Sequence, residues 1–217
     1  GRLLPAFEQV RGLIQFNGVA LHPSMPGFLM GVTQDNGNLR TLDATGWSAR
    51  TGSDGGFVLV RQDAPAQVLA ANYYAYLNYS STTGETFRDV TPIPALMTDE
   101  GEPAEPMAFY PPAVAAPAAP TVFLGTRRLW TNTSFGANRF AWGPRSNGMA
   151  LETGVITAIE VLGDGNGPLW VGGSRGDVLF STDGGVTFTR RTEGLPAAVV
   201  TDIRAVTPDG RSAWVAF

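Results

Sequence analysis

The chain has 217 residues, enough for one sizeable core, and 43% of them are hydrophobic, which is globular. It carries a net charge of −4 without a basic block, which argues against nucleic acid, and it contains no cysteine, which excludes disulfides and thiol chemistry. A single His excludes multi-His metal sites, no run of 18 or more apolar residues spans a membrane, and all 15 basic residues are Arg, which reads as GC-rich bacterial codon usage.

Gly 27 and Pro 16 mark many turns, as an all-β chain of short strands needs. Residues 1–13 read as an edge segment or the tail of an earlier repeat. Ile14 to Leu21 is a strand, and the turn after it starts at His22-Pro23. Phe28 to Val32 is the next strand, and Gln34-Asp35-Asn36-Gly37-Asn38 is a hairpin turn of the Asn-Gly type. Thr51 to Gly56 is a connector. Phe57 to Arg61 and Val68 to Tyr79 follow, the second holding the aromatic cluster Tyr73-Tyr74-Ala75-Tyr76. That cluster fits carbohydrate contact, or equally strand filling, where Tyr is common.

Residues 91–121 are the least regular. Asp99, Glu100, Glu102 and Glu105 sit among prolines as a solvated loop. Met107-Ala108-Phe109-Tyr110 reads as a strand, and Pro111 to Pro120 as a polyproline-like flank. Val122 to Gly125 and Arg128 to Thr131 form a hairpin turning at Thr126-Arg127. Gly154 to Val161 is a strong strand. Gly163-Asp164-Gly165-Asn166-Gly167 after it resembles a calcium-loop fragment but lacks the Glu ligand and the helices, so it reads as a plain turn. Thr201 to Val206 and Ala213 to Phe217 close the chain as two strands around Pro208-Asp209-Gly210.

The chain is organised around Ser181-Thr182-Asp183-Gly184-Gly185-Val186-Thr187-Phe188. Val178-Leu179-Phe180 enters this turn as a strand and Val186-Thr187-Phe188 leaves it as another. Asp accepts backbone N–H bonds, and Gly takes the positive-φ positions. Ser80-Ser81-Thr82-Thr83-Gly84-Glu85-Thr86-Phe87 has the same frame with Thr82 at the Asp position. Thr41 to Trp47 is a copy one residue short, and Thr131 to Phe140 is a degraded one. Apolar anchors at Leu29, Leu69, Phe123, Trp170 and Trp214 recur at gaps of 40, 54, 47 and 44, a mean of about 46, within the range of a four-stranded propeller blade.

The motif resembles the Asp box, or BNR repeat, of sialidases, xyloglucan-degrading enzymes, sortilin-type receptors and photosystem assembly factors. The resemblance implies an all-β fold, a β-propeller of four-stranded antiparallel blades. About four and a half blades are visible, at 14–50, 57–90, 106–142, 154–192 and an incomplete 200–217, in one propeller segment of a larger propeller and a longer chain. Ser181, Asp183, Gly185, Thr187 and Phe188, and Ser80, Gly84, Thr86 and Phe87, are then structural turn residues between outer strands. The missing strands come from the same chain or from another subunit.

In such propellers ligands meet the opposite face, which nominates the turns between second and third strands: Asp35, Asn36, Tyr73, Tyr74, Arg127, Arg128, Arg175 and Asp177. Three Arg near one axis bind a carboxylate or phosphate, or else are solvated turn residues. No sialidase Arg–Ile–Pro signature, nucleophile elbow, P-loop or metal cluster is present. The resulting expectation is a non-catalytic binding or assembly scaffold without cofactor or metal, exported to the bacterial periplasm, cell surface or medium, with a protein or glycan partner. The alternative is a glycoside hydrolase whose catalytic carboxylates lie partly elsewhere, for which Asp35, Asp54 and Asp177 are the first candidates.

Overall fold

The computed structural model describes residues 14–145 and 151–217; the expectation for residues 1–13 lies outside them. Two compact units divide at Thr91 and Pro92. In the first unit, β1 (Phe16–Leu21), β2 (Leu29–Thr33), β3 (Gly37–Thr41) and β4 (Ser48–Ala49) form one antiparallel meander. A second meander is made by β5 (Val58–Val60), β6 (Val68–Ala71), β7 (Leu77–Ser80) and β8 (Arg88–Asp89).

The second unit repeats the pattern. One sheet holds β9 (Ala113–Ala115), β10 (Val122–Gly125), β11 (Leu129–Asn132) and β12 (Gly143–Pro144), with a single 3₁₀ turn at Arg139–Ala141. The next holds β13 (Ile156–Val161), β14 (Leu169–Gly173), β15 (Val178–Ser181) and β16 (Thr189–Arg190). The last sheet has two strands, β17 (Asp202–Ala205) and β18 (Ala213–Ala216). Among the described residues no helix is long and apolar enough to cross a membrane.

The burial pattern follows strand position. The second strands of the four-stranded sheets are buried almost throughout, because a middle strand of a sheet packed on both faces has no wet side. The fourth strands are exposed. In the first unit Phe28, Met30 and Val32 pack on Val58, Val60, Val68 and Ala70 between the two sheets. In the second, Phe123 and Leu129 pack on Ile156, Ile159, Leu169 and Val171, and Trp170, Val178 and Phe180 on Val200 and Ile203. Close approach fixes two glycines of the second strands. A Cβ on Gly125 would meet Ile156 Cγ2 at 2.5 Å, and one on Gly172 would meet Val200 Cγ1 at 2.4 Å.

Two strands fall elsewhere than the sequence predicts. The one expected at Val186 to Phe188 begins only at Thr189, as β16. Met107 to Tyr110 is not a strand, and the first strand of the third sheet is Ala113–Ala115. Pairing with β10 begins only at the Pro112 carbonyl, which accepts from Gly125 N–H at 2.9 Å. Glu105 also differs from a solvated loop acid. Its carboxylate is largely buried, accepts from Trp130 Nε1 at 2.8 Å and from the Thr126 hydroxyl, and pairs with Arg128 Nε at 3.1 Å. It ties the loop to β11.

Arginines link neighbouring sheets inside each unit. Arg40 of β3, almost wholly buried, pairs with Glu85 of the second sheet's turn, which Arg50 also reaches at 2.9 Å. Arg145, beyond β12, donates to Gly184 O at 2.8 Å and to Asn166 Oδ1 at 2.9 Å.

Candidate functional site

Each four-stranded sheet has two ends that differ in chemistry. At one end lies the hairpin between third and fourth strands. Ser181, the last residue of β15, accepts from Gly185 N–H at 2.8 Å and Asp183 N–H at 3.2 Å, and donates to Asp183 Oδ1 at 2.7 Å. Asp183 in turn accepts from Thr187 N–H at 2.9 Å and from the Thr187 hydroxyl at 2.6 Å. These bonds, led by the Thr187 hydroxyl, hold the Asp183 carboxyl down at about 2. Gly184 and Gly185 have φ of 68° and 87°, and Phe188 packs on the core beneath.

The same loop recurs with other residues. Ser80 accepts from Thr82 and Gly84 N–H at 3.1 and 3.0 Å, and the Thr82 hydroxyl takes Thr86 N–H at 3.0 Å. In the degraded copy Asn132 Oδ1 stands in for the serine hydroxyl, accepting from Ser134 and Gly136 N–H at 2.9 and 3.0 Å. Ser134 Oγ then takes Asn138 N–H at 3.1 Å. The aromatic there is Phe135, buried, whereas Phe140 is 73% exposed. In the short copy Asp43 accepts from Thr45 N–H at 2.9 Å, and the buried Thr41 hydroxyl has no partner among the described residues. In the first three of these turns the polar side chains are engaged by bonds within the turn itself.

The opposite end carries the turns between second and third strands, where all eight nominated residues fall. In the first unit Asp35 (φ 64°) donates its N–H to Asp54 Oδ1 at 3.1 Å, tying the turn to the connector into the second sheet. Asn36 donates to Gln34 O at 3.1 Å and so serves its own turn. Tyr73 stacks edge-on against Tyr74 at 5.6 Å and against Tyr76 at 5.2 Å. Tyr73 and Tyr76 line a depression of about 280 Å³ with Ser53, Asn72, Asn78, Asp89 and Thr91. Asn72 Nδ2 donates to Gly52 O at 2.9 Å, Asn78 Nδ2 to Asn72 Oδ1 at 3.0 Å, and Thr91 N–H to Asp89 Oδ1 at 2.6 Å. Asn72, Asn78 and Asp89 were invisible as site residues because only the pairing of β7 with β8 sets Asn78 opposite Asp89.

In the second unit two of the three arginines serve the protein. Arg127 donates from Nε to Leu151 O at 3.0 Å and from its terminal nitrogen to Glu152 O at 3.3 Å. Arg128 pairs with Glu105. Arg175 is exposed, and Asp177 is paired with Arg190. A shallow hollow of about 330 Å³ lies over Arg127, Glu152 and Gly154. Asp164 caps Asn166 N–H at 2.9 Å within its own turn. Among the described residues no cluster of three metal-ligating side chains occurs.

No protein-family model matches the chain, and no curated protein sequence does. Solved structures do match. The GH74 enzyme of Niastella koreensis superposes with a TM-score of 0.67 at 19% identity, over 94% of this chain and 33% of that one. The GH74 xyloglucanase from Xanthomonas campestris gives 0.65 at 15%, over 91% and 34%. YCF48 from Cyanidioschyzon merolae gives 0.61 at 15%, over 95% and 65%. The fold is therefore a β-propeller of four-stranded antiparallel blades, and the chain spans about a third of the length of the two GH74 enzymes. The similarity extends to both enzymes and YCF48, so fold alone does not assign an activity.

Proposed function

We propose that this chain is a non-catalytic propeller segment of the Asp-box type that binds a protein partner as an assembly scaffold of an exported bacterial protein. The blade repeats at 14–50, 57–90, 106–142, 154–192 and 200–217 belong to one segment in this reading. The Asp-box assignment is supported by the bonding shared by three of the turns, in which the first side chain accepts from the N–H four residues on although the residue changes. The observation that carries the binding reading is the lining of two open depressions among the described residues. Each holds one carboxylate, Asp89 in one and Glu152 in the other, whereas glycoside hydrolysis works with two facing each other. Asp177, a candidate for such a pair, is engaged by Arg190.

The test has two parts. Incubation with xyloglucan oligosaccharides and with a sialoside reporter should release neither reducing ends nor aglycone. Turnover that disappears in Asp35→Asn, Asp54→Asn or Asp89→Asn would overturn the proposal in favour of the hydrolase. Tagged protein recovered from its source cells should carry one stoichiometric partner.

A further inference from the structure

We infer that the depression on the second sheet of the first unit receives a cationic side chain, a lysine or arginine, from a basic segment of the partner. This rests on the scaffold reading above and names the chemistry of its partner.

The lining residues are bonded to one another and to the backbone around them. Asn72 commits an amide proton to Gly52 O, and Asn78 commits one to Asn72 Oδ1. The Thr91 hydroxyl accepts from Leu77 N–H at 3.3 Å, and Thr91 N–H is taken up by Asp89 Oδ1. Asn78 Oδ1 and Asp89 Oδ2 take no part in these bonds, and Asp89 brings a full negative charge to the wall. A carboxylate selects a charged donor, and an ammonium or guanidinium group carries donors and no acceptor. Asp89 is exposed and, among the described residues, has no ion-pair partner. Among the described residues no arginine lines the depression.

The aromatic part points the same way. Tyr73 and Tyr76 meet edge to face, with centroids 5.2 Å apart and planes 67° apart, so they present differently oriented rings to one hollow. A cation beside a tyrosine face gains from the ring quadrupole, and a nearby carboxylate adds to the attraction. The hollow is built on hydrogen-bonded parts of the fold. Tyr73 and Tyr76 belong to a turn closed by Asn72 N–H to Tyr76 O at 2.9 Å, and Asn78 and Asp89 are cross-strand neighbours. The chain's net charge of −4 favours approach of a basic segment, as electrostatic steering requires.

The experiment is fluorescence anisotropy with a labelled tetralysine amide at low salt, on the whole chain. Asp89→Asn keeps the acceptor for Thr91 N–H and removes only the charge. It should weaken binding about tenfold, while Asp99→Asn and Glu100→Asn, on the exposed acidic loop, stay within about twofold. Tyr76→Phe should bind like the parent, and Tyr76→Leu should lose several-fold. Binding should fade at about 0.5 M salt. Equal loss in all three acid variants would mean diffuse attraction and overturn the proposal, as would absence of binding in the parent. Binding of cellotetraose that Asp89→Asn abolishes, with the peptide indifferent, would overturn it in favour of a glycan. Any of these failures leaves the scaffold reading standing, and glycan turnover alone defeats that.

Discussion

Asp183 offers the sharpest test of what the turns contribute. Replacing it with Ala removes acceptors for Thr187 N–H, the Thr187 hydroxyl and the Ser181 hydroxyl. The carboxyl is held at about 2 against an ordinary 3.8. At about 1.4 kcal/mol per unit that shift corresponds to roughly 2 kcal/mol, and because Asp183 is half-exposed, screening by water reduces it to about 1 kcal/mol. A depressed carboxyl stabilises the fold at pH above its unfolded value, and the contribution disappears as pH falls through the folded value. Urea melts of parent and Asp183→Ala should therefore differ by about 1 kcal/mol at pH 6, with the gap narrowing below pH 4 and closing near pH 2. Asp183→Thr should recover most of the loss without the pH dependence, since Thr82 fills the same position in the second sheet with a neutral hydroxyl. A gap of constant size from pH 6 to pH 3, or an Asp183→Thr protein as weak as Asp183→Ala, would refute the reasoning.

Other substitutions probe the packing. Gly172→Ala places a methyl 2.4 Å from Val200 Cγ1 and should cost about 1–3 kcal/mol in the same melts. Glu85→Ala leaves the buried Arg40 guanidinium without its carboxylate and should cost about 2 kcal/mol or more, a loss that added salt does not remove. Glu105→Gln should destabilise by about 1–3 kcal/mol and shift Trp130 fluorescence, because the carboxylate bonded to its indole N–H is gone. Trp214→Ser, at a side chain 76% exposed, should change stability by less than about 0.5 kcal/mol.

The turns were the legible part of the sequence, because Asp, Gly, Asn and Thr each act through local bonds that need no tertiary partner. Thr126-Arg127 and Pro208 to Gly210 fall between paired strands as read, and so do Gln34 to Asn36, whereas Gly37 and Asn38 of the expected turn already pair as the start of β3. The degraded copy was harder. Its working residues are Asn132, Ser134, Gly136 and Asn138, and only geometry reveals that an amide oxygen does the work of a serine hydroxyl. The strand Ala113–Ala115 was hidden because Ala has weak strand preference and two prolines precede it, while Phe109-Tyr110 has the composition of a strand without the pairing. Glu105 looked solvated because nothing local shows that Trp130 and Arg128, over twenty residues on, close around it. The candidate hollow was half visible. Tyr73 stood out by composition, whereas Asn72, Asn78 and Asp89 acquire meaning only from the register of two short strands.

The arginines that reach from one sheet to the turn of the next have a consequence for how the molecule comes apart. A repeat that touches only its neighbours unfolds by steps whose sharpness depends on the strength of each junction. Arg145 grips Gly184 and Asn166, and Arg40 grips Glu85, so the outer hairpin of the later sheet cannot fray without releasing a side chain of the earlier one. Local opening at the rim is thereby converted into a shared event. Within each unit adjacent sheets joined in this way should exchange their amide protons together rather than one after another, and the hairpin turns should count among the slower amides despite lying at the surface.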